Sequence, residues 1–126
     1  KGAKWIRLGV TGTLGYNSRN QPTNHCSCHS SRIDVDSFGR VFFPDAARFR
    51  IWVLDTEGNT ICWFGSYGNV DSCGSKSSIS KPEIPFAWPQ AVAVDNGSFA
   101  FIGDRLNRRV VKVKLSYRAE EVCSIP

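Results

Sequence analysis

The sequence predicts an all-β fold assembled from short antiparallel meanders, and two observations carry that prediction. The first is self-similarity at an offset of 59 residues. RIDVDSFGRVFFPDAARFRIWVL, from Arg32, returns as AVAVDNGSFAFIGDRLNRRVVKVKL, from Ala91, superposing Val35 on Val94, Asp36 on Asp95, Phe42 on Phe101, Asp45 on Asp104 and Arg50 on Arg109. The second is the turn chemistry between the apolar runs. Asp36-Ser37-Phe38-Gly39 and Asp55-Thr56-Glu57-Gly58-Asn59 supply the glycine that a positive φ requires. Short strands recurring at a period near sixty residues are the pattern of β-propeller blades, four-stranded sheets that bury their faces on one another.

Taken in order, residues 1–31 hold a trailing strand of a preceding blade and a loop bearing cysteine and histidine. The strand is Trp5-Ile6-Arg7-Leu8, and the glycine-punctuated segment after it resembles the one that follows Ile61-Cys62-Trp63-Phe64. The loop, 17–31, has no hydrophobic period. Residues 32–68 form the first complete blade, with strands over 32–36, 40–44, 50–55 and 59–64. A Ser-, Gly- and Pro-rich linker follows over 69–89, which Cys73 could pin and Phe86 and Trp88 could pack down. Residues 90–126 give the second blade and a C-terminal tail, with strands over 90–94, 98–103, 109–115 and, more weakly patterned, 118–123.

Within each repeat an aspartate closes the second strand and an arginine opens the third five residues later, as Asp45 with Arg50 and Asp104 with Arg109. A carboxylate facing a guanidinium can form two charge-assisted hydrogen bonds, so the pair is read as a structural brace for the hairpin, with a ligand-gripping pair as the alternative.

Composition sets the frame. The chain has 126 residues, 41% hydrophobic and 21% charged, a balance that opposes disorder. No apolar run reaches the roughly 18 residues of a membrane span. Five cysteines, Cys26, Cys28, Cys62, Cys73 and Cys123, favour an oxidising, extracytoplasmic compartment, periplasmic or secreted, and all five are disulfide candidates. The net charge of +5 is scattered except at Arg105, Arg108, Arg109, Lys112 and Lys114. That run is read as a solvated face, with contact to phosphate or an acidic partner as the alternative.

His25-Cys26-Ser27-Cys28-His29 is the one concentrated patch of chemistry, and three readings stand. A cysteine of the cluster can pair with Cys62, Cys73 or Cys123 and staple the loop. His25, Cys26, Cys28 and His29 can contribute ligands to a metal such as zinc, although five adjacent residues cannot easily wrap one tetrahedral ion. Cys28-His29 matches the end of the c-type haem motif, but its C-x-C-H spacing is one residue short, leaving a single thioether through Cys28 with His29 as axial ligand.

No catalytic constellation emerges. The serines lack a nucleophile elbow. Asp34, Asp36, Asp45, Asp95 and Asp104 fall where turns and braces account for them. Asp34-Val35-Asp36 could offer two oxygens to calcium, without the glycine and glutamate of an EF-hand loop.

The apolar strand ending in Asp36 or Asp95, the Gly39-Arg40-Val41-Phe42 start, the D-x4-R step and the Phe64-Gly65-Ser66-Tyr67-Gly68 tail together resemble the NHL-repeat β-propellers. The likeness covers about residues 30–68 and 89–115, and PDAARFRIWVLD and GDRLNRRVVKVKL resemble the C-terminal blades of large secreted bacterial NHL-type proteins. Such a resemblance implies an architecture and leaves the chemistry open. Propellers of this kind close with about six blades. Two are visible here, so the expectation is a fragment or part of a larger propeller, completed by the remainder of the ring or by other chains. The expected role is an extracytoplasmic scaffold or protein-binding module. It would present the loops at 17–31 and 66–89, with Trp5, Tyr16, Tyr67, Phe86 and Trp88 as candidate anchors. The alternative is a redox or metal-carrying component using the Cys/His cluster. RNA binding through the basic run, nucleic acid being the less favoured partner, is a third reading.

Overall fold

The computed structural model describes residues 2–7, 31–69, 71–72, 77–78, 80–96 and 98–116. These are all-β, with no helix among the described residues. The first sheet is an antiparallel meander of β1 (Asp34–Val35), β2 (Val41–Asp45), β3 (Arg50–Leu54) and β4 (Thr60–Phe64), in that order. A short parallel pair follows, β5 (Ser66–Tyr67) with β6 (Pro85–Phe86). The second sheet is the antiparallel meander of β7 (Pro89–Val94), β8 (Phe99–Asp104) and β9 (Arg109–Lys114). The fourth strand expected over 118–123 lies outside the described residues, as does the Cys/His loop.

Aspartates start the turns for a stated reason. Asp36 accepts from the amides of Phe38 and Arg40 at 2.9 and 3.0 Å and from Arg40 Nε at 2.6 Å. Asp55 does the same with Glu57, Asn59 and the Asn59 side chain. Each carboxylate thus satisfies amides that a tight hairpin leaves unpaired. Gly39 and Gly58 take the positive φ of 77° and 83° that close these turns.

Two departures from the expected strands share one cause. The first strand is only two residues long because Arg32 spends its backbone elsewhere. Its amide donates to Gln90 O at 3.0 Å, and its carbonyl accepts from the Val92 amide at 3.2 Å, a parallel bridge to the second sheet. The ladder between β7 and β8 bulges at the same place, pairing Pro89 with Asp104 and Ala91 with Gly103 while skipping Gln90. Asp34 adds a third tie, accepting from the Val94 amide at 2.8 Å. The innermost strands of the two sheets are therefore joined side by side. The strand expected over 5–8 is not formed where it is described. Residues 5–7 instead reach the β3–β4 hairpin through side chains, with Trp5 Nε1 donating to Thr56 O at 3.0 Å.

The core lies between the sheets. Phe42, Ile51 and Val53 of the first meet Val92, Ala100 and Ile102 of the second, with Phe86 among them, all buried. Each such side chain removed from water contributes roughly 1.5–3 kcal/mol. The long linker is held at its end by this burial. Phe86 is fully enclosed and is a core residue, not the surface anchor the sequence allowed.

Candidate interaction surfaces

Side-chain register shows how the sheets meet. Opposite partners share a face. In the first sheet Asp34, Phe42, Val53 and Cys62 lie across from one another on the core side, and Val35, Val41 and Leu54, with Phe43, Trp52 and Trp63, lie on the far side. In the second sheet Val92, Ile102 and Val111, with Val94, Ala100 and Val113, face the core. Moved back by the 59-residue offset, those six positions become Ile33, Phe43, Trp52, Val35, Val41 and Leu54, five of them in the far-side rows just named and Ile33 next to Val35's row. The core residues Phe42, Ile51 and Val53 move forward onto Phe101, Val110 and Lys112, on the second sheet's outer side. Equivalent sheets thus contact through opposite faces, head to tail. Among the described residues, that arrangement leaves one mating face at each end without a partner sheet.

The unused face of the first sheet is apolar. Ile33 and Val35 are 55% and 52% exposed there, and Trp63 is 50% exposed. Trp5, Ile6 and Arg7 lie over part of it and enclose a cavity of about 220 Å3 with Ile33, Val41, Phe43 and Leu54. The Arg7 guanidinium sits 5.5 Å from the Trp52 ring. The opposite end, on the second sheet, is more polar. Lys112 Nζ stands 3.9 Å above the Phe99 ring, where the first sheet has Val53 in the core.

The two aspartates of the repeat do not do the same work. Asp104, wholly buried, accepts from the Ala87 and Trp88 amides at 3.0 and 2.8 Å, from Asn107 Nδ2 at 2.6 Å and from Arg109 Nε at 3.3 Å. Arg109 also donates to Pro85 O. Asp45 does not pair with Arg50 as the spacing suggested. Its partners are Arg48, at 3.0 Å, and Trp52 Nε1, at 3.1 Å. Arg50 turns instead onto the Trp63 ring, 4.0 Å away. The cause is local sequence: Asn107 and Val111 replace Arg48 and Trp52 in the second repeat, leaving room at Asp104 for Arg109.

A second surface opens between the ends of the sheets. A cleft of about 330 Å3 is lined by Arg32, Gln90, Ala91, Gly103, Asp104, Arg105, Arg108 and Arg109. The β8–β9 turn presents three of the arginines, with the Arg108 amide donating to Arg105 O at 3.1 Å and Arg105's amide to Trp88 O at 2.9 Å. Arg32 arrives from the neighbouring sheet through its backbone bridge, a contribution that no local motif announced. Its alignment with Ala91 in the repeat was the available signal. The expected basic run is divided by the fold. Lys112 and Lys114 line a separate groove with Glu83, Ile84 and Pro85, and Arg109 borders both.

The remaining candidates are placed as follows. Tyr67 is 42% exposed and meets the Phe49 ring edge-on at 4.7 Å. Trp88 and Trp5 are half-buried. Asp34 and Asp36 are engaged by amides and by Arg40. Cys62 is a free, half-buried thiol whose pKa is raised by burial, with Arg40 opposing. Among the described residues no group of three or more His, Cys, Asp or Glu could hold a metal, and no helix is long and apolar enough to cross a membrane. His25, Cys26, Cys28, His29, Tyr16, Cys73 and Cys123 lie outside the described residues. No protein-family model matches the chain, and no curated protein matches it in sequence.

Proposed function

We propose that the two sheets are NHL-type propeller blades, and that the chain serves as an extracytoplasmic scaffold or protein-binding module completed by further polypeptide. The observation that supports this reading is the head-to-tail contact of equivalent sheets. It leaves the apolar face around Ile33, Val35 and Trp63 suited to a further sheet of the same repeat, whose mating side would carry counterparts of Phe42, Ile51 and Val53. Covering that face removes several large apolar side chains from water. The five cysteines of the chain support the oxidising compartment.

Light scattering on the purified chain tests the reading. The expected result is association beyond the 14.0 kDa of one chain, with Val35→Lys, which places a charge on an exposed strand position of the mating face, restoring a folded monomer. A wild-type chain that stays monodisperse at one chain mass and binds no apolar dye would overturn it.

A further inference from the structure

We infer that the cleft between Arg32 and the β8–β9 turn is a carboxylate-binding site, and that its ligand is an acidic segment of a protein partner. The inference adds a ligand chemistry to the display role proposed above and does not require the sheets to assemble further.

The hairpin itself does not call for these arginines. In the first repeat the positions of Arg105 and Arg108 are held by Ala46, buried, and by Phe49, whose ring packs on Tyr67. Phe49 and Arg108 share a positive φ, 57° and 50°, so both residue types are accommodated at this turn position. Replacing an alanine and a phenylalanine by two guanidiniums, next to a third from the neighbouring sheet, concentrates like charge in one concavity. Without an anion that arrangement is unfavourable. The one acid among the described lining residues, Asp104, is buried and already accepts four hydrogen bonds. It offsets Arg109 and leaves the Arg32 and Arg108 guanidiniums without a hydrogen-bonded carboxylate among the described residues. Planar guanidinium forks bind carboxylates in a bidentate way.

The lining also selects among anions. Among the described residues no aromatic ring lines the cleft, so a single strand of nucleic acid would find no surface there on which to stack a base. A volume of about 330 Å3 admits one or two acidic side chains of an extended peptide.

The test is fluorescence anisotropy with a labelled hexaglutamate peptide, run on the Val35→Lys chain so that assembly through the far face does not enter. Binding should weaken with salt and fall about tenfold or more in Arg32→Gln/Arg108→Asn, asparagine being tolerant of the positive φ. Arg105→Gln, at an exposed position of the turn that borders the cleft, supplies a second variant. A Lys4→Gln/Lys81→Gln control of equal charge change should bind as the parent does. Three outcomes overturn the inference: an arginine variant that binds normally, a control that loses as much, or a thymidine hexamer or inorganic phosphate that competes as well as the peptide.

Discussion

Replacing Asp104 by alanine should cost far more than the same change at Asp45, although the two occupy one position of the repeat. Asp104 reaches residues 16 and 17 positions away in sequence, the amides of Trp88 and Ala87, and so fastens the end of the linker to the β8–β9 hairpin. Truncation leaves the Ala87 amide buried without its acceptor and takes from Trp88 the acceptor it had. Each lost partner costs about 1–3 kcal/mol. With Asn107 and Arg109 also deprived of their carboxylate, about 3–5 kcal/mol is expected. Asp45 bonds only within seven residues, to Arg48, whose side chain is 61% exposed, and to Trp52. Its loss should cost about 1–2 kcal/mol. Urea unfolding followed by tryptophan fluorescence gives both values. Equal destabilisation, or a larger effect at Asp45, would refute the assignment of Asp104 as the long-range tie.

Three further outcomes are expected. Gly65→Ala should destabilise by more than about 1 kcal/mol, because Gly65 sits at φ 98° and an added Cβ would enter the Phe86 ring and stand 3.0 Å from Phe49 O; thermal melts measure it. Asp55 is held below its ordinary value of 3.8 by Asn59, so its contribution is present above pH about 4 and lost as pH falls through the folded-state value. The acid limb of stability against pH should therefore flatten in Asp55→Asn, which keeps the turn acceptor and removes the titration. Cys62, with its thiol pushed up by burial, should be alkylated more slowly in the folded chain than in urea at pH 8, as a mass-shift time course would show.

Much of the fold was legible in the chain. The 59-residue repeat, the aspartate-to-glycine turns and the apolar runs placed the six longer strands close to their observed positions, because hairpin pairing is local and its turn residues are restricted by φ. The Asp45–Arg50 pairing was misread because spacing cannot say which of two nearby arginines reaches a carboxylate first. Arg48 and the Trp52 indole filled that place, and only the relative geometry of a turn and two strands decides such a contest. For a related reason the sequence leaves Phe86 open between packing the linker down and anchoring a partner: an aromatic in a Pro-rich stretch can face either way until its docking partner is known, and the core takes it.

Local pattern determined the all-β character, the meanders and the acids that close their turns, since each depends on residues only a few positions apart. The tertiary structure alone decided that equivalent sheets meet through opposite faces, that Arg32 bonds to Gln90 instead of extending β1, and that arginines from two sheets converge on one cleft. Those features depend on how two sheets are set against each other. That relation is fixed by the shared burial of Phe42, Ile51, Val53, Phe86, Val92 and Ile102, which no stretch of sequence contains by itself.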